Sequence, residues 1–286
     1  MENTKKETFP EQHQNRHPGK ESEMNPVPIF DNDQYKASGK LENKVAIISG
    51  GDSGIGRAVA IAFAKEGADI VIIHLQENDD ARETEKSVNH YGKKCLIIPA
   101  DLKAEQASVD SVKKVIEEFG KIDILVNNAG VQYPQKSILD IPEDQMRHTF
   151  ESNFFSYFYM TKAALPHMQK GSAIINTTSV TAFEGHETLI DYSSTKGAIL
   201  SFTRSMALSL VKQEIRVNAV APGPVWTPLI VSSFSAEEVK TFGSTTPMAR
   251  AAQPFELAPA YVFLACNDSS FMTGQVLHIN GGKVIN

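Results

Sequence analysis

Tyr192 and Lys196 stand four positions apart on a segment that reads as a long amphipathic helix starting at about Tyr192, so their side chains lie one above the other on the same face. A free phenol titrates near ~10, and each unit by which a neighbouring cation lowers that value is worth about 1.4 kcal/mol in favour of the phenolate. The spacing therefore predicts a Lys196 ammonium that draws the Tyr192 phenol toward use as an acid or base near neutrality. Ser179 follows a short β-branched apolar strand, Ala173 to Thr178, where a hydroxyl can bond the same substrate oxygen that Tyr192 protonates. Together the three residues describe a site that moves a proton on or off an alcohol. A Tyr and a Lys at this spacing occur by chance on many helices, so the weight of the reading rests on the elements that position them.

Those elements alternate from Lys44 onward. Strands are expected at Val45–Ser49, Ile70–His74, Cys95–Pro99, Ile122–Asn127, Arg216–Val220 and Val276–Ile279, besides the strand before Ser179. Helices are expected at Gly54–Gly67, Asp79–Tyr91, Glu105–Phe119 and Phe255–Ala265, with a long helical pattern over Pro142–Gln169 that Pro166 interrupts. Strands alternating with helices imply an α/β fold, a doubly wound, mostly parallel sheet with helices on both faces, in one domain spanning residues 44–286. Between the first strand and the first helix sits SGGDSGIG, with Gly50, Gly54 and Gly56. Backbone without a Cβ can turn sharply there and approach a pyrophosphate at the helix N-terminus, where unpaired amides and the dipole favour anions. Its place after a strand and before a helix makes it a dinucleotide-binding signal.

With the Tyr/Lys pair, this glycine spacing resembles the short-chain dehydrogenase/reductase family, and the resemblance runs along most of residues 44–286. It implies a Rossmann fold and hydride transfer between a nicotinamide cofactor and the CH–OH or C=O group of a small alcohol, aldehyde, ketone, sugar or polyol. Asn153 in ESNFF, Ser179, Tyr192 and Lys196 match the family's catalytic Asn, Ser, Tyr and Lys. The implied cofactor contacts are Gly50, Asp52, Ser53, Gly54, Ile55 and Gly56 in the loop, His74 and Gln76 past the second strand, and Asp101 and Leu102 past the third. Asn128, Ala129 and Gly130 of NNAG follow, then Tyr192 and Lys196 themselves, and Pro222, Gly223, Val225 and Thr227 of NAVAPGPVWTP. Within the family, the leader with ESEMNP and the loop GGDSGIGRA look like a bacterial subgroup with extended N-termini. Ser49 stands where the family most often has Thr, and the hydroxyl is kept.

Family members that use NAD commonly carry an acidic residue at the end of the second strand, and those that use NADP carry basic residues there or in the glycine loop. Here the positions read His74, Leu75 and Gln76, with Ser53 in the loop. The fixed cations nearby are Arg57 and Arg82, and no basic clamp for a 2′-phosphate is visible, so the expectation is NAD(H) over NADP(H). A protonated His74 pairing with a phosphate is the competing reading. No metal is expected. The family resemblance also implies a homotetramer, supported by FFSYFYM (Phe154 to Met160), where apolar residues continue around a helix beyond one buried stripe.

At 286 residues with 41% hydrophobic content the chain can bury a sizeable core. A formal charge of -6 gives no basic footprint for nucleic acid or anionic lipid, which leaves a small molecule as the expected partner. There is no apolar leader and no run long enough to cross a bilayer, and Cys95 and Cys266 sit in apolar segments as expected free thiols, so a cytoplasmic protein is expected. Residues 1–43 are polar and punctuated by proline, an extended and partly disordered arm, with Met24 to Phe30 as the stretch able to pack on the domain or across a subunit boundary. The segment at about 225–253, with Trp226, Leu229, Ile230, Phe234 and Phe242, is expected to be a substrate lid, and Glu184, His186, Gln132 and Tyr133 would make the pocket partly polar. The alternative function is a dinucleotide-binding sensor without turnover, against which a complete Asn, Ser, Tyr and Lys set argues.

Overall fold

The apolar runs become strands because a parallel sheet is covered on both faces and needs side chains that bury in either direction. In the computed structural model, which describes residues 6–284, these are β1 Val45–Ser49, β2 Asp69–His74, β3 Cys95–Pro99, β4 Ile124–Asn127, β5 Ala173–Thr177, β6 Arg216–Pro222 and β7 Val276–Ile279. They form one seven-stranded sheet in the order β3-β2-β1-β4-β5-β6-β7, every pairing parallel. The order reverses between β1 and β4, and the crevice at their carboxyl ends is where open α/β sheets hold ligands.

The crossovers are α1 Gly54–Lys65, α2 Asn78–His90, α3 Glu105–Phe119, α4 Glu143–Phe150, α5 Ser156–Ala164, α6 Thr181–Glu184, α7 Ile190–Leu210, α8 Pro228–Ser233, α9 Ala236–Lys240 and α10 Ala258–Ala265. One face of the sheet packs on α1, α2 and α10 through Val59, Phe63, Val88, Tyr261 and Leu264. The other packs on α3, α5 and α7 through Val112, Val115, Met160, Ala207 and Leu210. The expected long helix over Pro142–Gln169 is divided: a π-turn at Glu151–Phe155 joins α4 to α5, and a 3-10 turn at Leu165–His167 ends it at Pro166. π-Turns inside helices concentrate at functional sites, and this one carries Asn153.

In the N-terminal arm, Met24 to Phe30 packs on the domain, one of the two places expected for it. Met1 to Lys5 lie outside the described residues; Lys6 to Ser22, for which the sequence leaves packing and disorder both open, run along the segment after β6. Thr8 N–H donates to Lys240 O at 2.8 Å and Gln14 N–H to Val231 O at 2.8 Å. Phe9 stacks on Trp226 with ring centroids 3.8 Å apart, and the Trp226 indole N–H donates to Pro26 O at 2.8 Å. Met24, Trp226, Ile230, Val231 and Val239 form a third apolar cluster, separate from the two that cover the sheet. Trp226, within the segment expected to be a substrate lid, is fully buried under the arm. Among the described residues no helix is long and apolar enough to cross a membrane.

Candidate active site

The carboxyl ends of the strands open into a cleft of about 810 Å³. Its floor begins at the glycine loop. Gly50 and Gly54 have φ of +65° and +52°, the left-handed region that a side chain resists. A Cβ on Gly56 would lie 1.9 Å from Gly50 O, so Gly56 lets α1 close against the loop from behind and does not itself line the cleft. Ser49 ties this loop to the next: the Asn128 and Ala129 amides donate to its hydroxyl at 3.0 and 3.2 Å, and Asn128 Nδ2 donates to Gly50 O at 3.2 Å. Asn127, the first residue of NNAG, is fully buried and bonds Thr161 and Asn176, so it holds β4 to its neighbours rather than reaching the cleft.

Gly50, Asp52, Ser53, Gly54, Ile55, His74, Asp101, Leu102, Asn128, Ala129, Gly130, Pro222, Gly223, Val225 and Thr227 all line this one cleft, together with Ser179, Tyr192 and Lys196. Gln76 does not; it is exposed and its amide reaches back to His17 O at 3.4 Å. His74 is buried with both ring nitrogens unpartnered, and burial lowers its pKa while Glu77 pulls the other way. Arg57 is unavailable to a ligand: it is 3% exposed, pairs with Glu21 and Asp80, and donates to Asp52 O at 3.0 and 2.8 Å. Burial raises the Asp52 carboxyl to about 6.

Ser179, Tyr192 and Lys196 converge at the inner end of the cleft, at 6%, 9% and 3% exposure. Ser179 Oγ accepts from the Thr181 amide and hydroxyl at 3.2 and 3.1 Å. Lys196 Nζ donates to Thr177 O at 3.0 Å and lies 5.4 Å from the centre of the Tyr192 ring. The expected lowering of the phenol does not appear. Burial raises Tyr192 to about 12, with Ser179 pulling the other way, and burial takes Lys196 down to about 7. Desolvation penalises the charged form of each group, and here it outweighs their proximity.

Asn153 stands behind this group and outside the cleft lining. Its Oδ1 accepts from the Val131 amide at 2.7 Å and its Nδ2 donates to Val131 O at 2.9 Å and Thr195 Oγ1 at 3.2 Å. A Cβ on Gly130 would meet Asn153 Oδ1 at 3.4 Å and Lys196 Nζ at 3.7 Å, so Gly130 occupies the narrow gap between them. The polar lining expected from Gln132, Tyr133, Glu184 and His186 is present, beside Leu229, Phe234 and Phe242 from the segment after β6. Sequence reasoning missed Glu77, one position beyond the three read after β2, and His17 and Pro18 of the arm. Glu77 carried a signal, an acid just past the second strand; the arm residues carried none.

A family profile described as Enoyl-(Acyl carrier protein) reductase matches residues 50–283. The chain belongs to the short-chain dehydrogenase/reductase family. It is 51% identical to an Arabidopsis thaliana protein named NADPH-dependent aldehyde reductase 1, chloroplastic, over 96% of this chain and 98% of that one. It is 50% identical to the glucose and ribitol dehydrogenase of Daucus carota, over 97% and 98%. Among solved structures, a Burkholderia cenocepacia J2315 short-chain dehydrogenase in complex with NADP superposes with a TM-score of 0.81 at 28% identity, covering 85% of this chain and 99% of that one. A Brucella melitensis 3-ketoacyl-(acyl-carrier-protein) reductase complexed with NADH gives 0.79 at 31%, covering 86% and 100%. The chain is an oxidoreductase of this family and uses a nicotinamide cofactor. The site fits that group: a glycine cradle that a Cβ would fill, and a cleft-lining His74 whose two buried ring nitrogens have no partner.

Proposed function

We propose that the protein interconverts an alcohol and a carbonyl on a small aldehyde, ketone, sugar or polyol, with Tyr192 as the proton donor to the carbonyl oxygen. The observation that carries this reading is the convergence of Ser179, Tyr192 and Lys196, buried, at the inner end of a cleft floored by the glycine loop. A bound nicotinamide supplies or accepts the hydride at the carbon. The Ser179 hydroxyl bonds the substrate oxygen and fixes its place beside the Tyr192 hydroxyl. A phenol held near 12 keeps its proton at neutral pH, which suits reduction: the proton passes from Tyr192 to the oxygen as the carbon becomes an alcohol carbon. Lys196, 5.4 Å from the Tyr192 ring centre, would return a proton to the phenol and hold the cofactor ribose when that group is bound, and Asn153 keeps Val131 and the α7 residue Thr195 in register behind it. The aldehyde reductase and the glucose and ribitol dehydrogenase among the relatives support this substrate class, as does a lining that mixes Glu184, His186 and Gln132 with Phe234 and Phe242.

NADP(H) replaces NAD(H) as the proposed cofactor. The 51% relative is NADPH-dependent by name, and the first structural neighbour holds NADP. The arm also brings one cation to this end of the site, Arg16, which pairs with the cleft residue Glu77. A homotetramer is proposed from Phe155, Phe158 and Leu208, which stand 40%, 46% and 80% exposed on the helical face of the π-turn, α5 and α7; sedimentation equilibrium checks it. Cys95 and Cys266 are free thiols, in keeping with work in a reducing compartment such as the cytoplasm. The deciding experiment follows NADPH absorbance against a panel of aldehydes, ketones and sugars. Tyr192→Phe is expected to lose at least 100-fold in turnover, in line with the roughly 10²–10⁴-fold that a positioned acid contributes, while still binding NADPH. Equal turnover in that variant refutes the mechanism, and cofactor binding without turnover of any substrate by the native chain would favour a sensor.

A further inference from the structure

The arm crosses the mouth of the cofactor cleft. From α8, where Gln14 is bonded to Val231, it passes over the opening at His17 and Pro18, both of which line the cleft. The His17 ring comes within 4.8 Å of the Tyr133 ring on the wall after β4. Gly19 then lies so close to α8 that a Cβ would meet Pro228 O at 2.6 Å, and Glu21 descends to Arg57 and to the Gly54 amide, which donates to it at 3.2 Å. The sequence relatives match 96–97% of this chain, so most of the arm has a counterpart in them, whereas the structural neighbours cover 85–86% of it.

Along this path Arg16 forms an ion pair with Glu77. Glu77 is the third residue after β2, it lines the cleft, and it is 6% exposed. Dinucleotide folds place at this point either a carboxylate, which bonds the adenosine ribose 2′-hydroxyl, or an arginine, which accepts the 2′-phosphate. Here both stand together, one from the domain and one from the arm. The other cations near this end are paired as well, Arg57 with Glu21 and Asp80, Lys103 with Asp101 at 3.4 Å, and Lys20 with Glu23 at 3.5 Å, but Arg16 is the one paired with the acid that follows β2. Arg16 is the more exposed partner of its pair, 34% against 7% for the Glu77 side chain, so one side of the guanidinium remains open to solvent while the other holds Glu77.

We propose that Arg16 of the arm and Glu77 of the domain are the residues that set the choice between NADP(H) and NAD(H), Arg16 by pairing with the 2′-phosphate and Glu77 by accepting from the unmodified ribose. The inference rests on the reading of the cleft as a nicotinamide dinucleotide site. A guanidinium suits a phosphate through paired, charge-assisted hydrogen bonds, and its loss is felt only by the phosphorylated cofactor. A carboxylate beside the same position favours the hydroxyl and opposes the phosphate.

The test is a titration of NADPH and NADH by nicotinamide fluorescence, on the full chain, for the native protein, Arg16→Gln and Glu77→Gln. Arg16→Gln is expected to weaken NADPH about tenfold and NADH less than twofold. Glu77→Gln is expected to move the ratio the other way, tightening NADPH and weakening NADH several-fold. If Arg16→Gln weakens both cofactors alike, its role is to hold the arm down, and the proposal fails; it fails equally if neither affinity moves. If the native chain binds neither cofactor, the dinucleotide reading of the cleft falls, and this inference with it.

Discussion

Lys196 is held where its charge is costly, and that cost can be measured by removing it. Its amine is 3% exposed, and burial alone lowers its pKa from 10.5 to about 7. A folded-state pKa depressed by about 3.5 units corresponds to roughly 5 kcal/mol, at about 1.4 kcal/mol per unit. The sign follows from linkage: the neutral amine is the form that the fold favours, so full stability is present above the unfolded pKa and is lost as pH falls toward the folded one. Methionine has a similar length and does not titrate. Relative to the native chain, Lys196→Met should therefore gain stability as pH falls, by about 3 kcal/mol between pH 9.5 and pH 6.5. It should then level off below about pH 7, where the amine is charged in both states. Urea midpoints of the two proteins at matched pH read the difference, since titrations that they share cancel. The same variant should lose turnover. A gap that stays constant across this window, or that widens toward alkaline pH, would refute the claim that the lysine is buried at a cost.

Gly56→Ala should lower cofactor affinity at least tenfold with the helical content unchanged, because a Cβ 1.9 Å from Gly50 O must displace the loop that floors the cleft; fluorescence titration and circular dichroism check the two parts. Trp226→Ala should destabilise the protein by about 3–5 kcal/mol, the usual range for a fully buried tryptophan. Because Trp226 also anchors Phe9 and Pro26, limited proteolysis of that variant should cut first within residues 6–30 rather than in the sheet.

Strands, helices and the main part of the cleft were legible because they depend on local signals. The apolar five-residue runs could bury only as central parallel strands, and the glycines between β1 and α1 had to sit at a sheet edge where backbone approaches a ligand. Gln76 was misplaced by the same logic. Residues past a strand end are on a loop, and periodicity does not say which of Gln76 and Glu77 turns inward; in the structure Glu77 does, and Gln76 reaches out to the arm. The ionisation of the site was illegible for a different reason. Spacing on a helix shows that Tyr192 and Lys196 are neighbours, but burial depends on everything packed over them, and burial moves the two groups opposite to the expectation from proximity.

The arm shows why a polar, proline-rich leader can be ordered against its composition. A segment of this kind cannot bury enough of itself to offset the entropy of ordering, at about 1–2 kcal/mol per residue of backbone. It can be ordered when the domain supplies the apolar partner. Here the domain leaves Trp226, Val231 and Val239 without cover from the sheet, and the arm brings Phe9 and Met24 to them. The two halves of this cluster are some 200 positions apart in sequence, so the sequence shows Trp226 within an apolar-bearing segment after β6 and Met24 within a stretch able to pack, but not that they meet. Their pairing places His17 and Pro18 across the cleft mouth and Glu21 against the glycine loop. Packing the arm on the segment after β6 and shaping the cleft are therefore one event, and a change that frees the arm should be felt in dinucleotide binding even though no residue of β1 to β7 is touched.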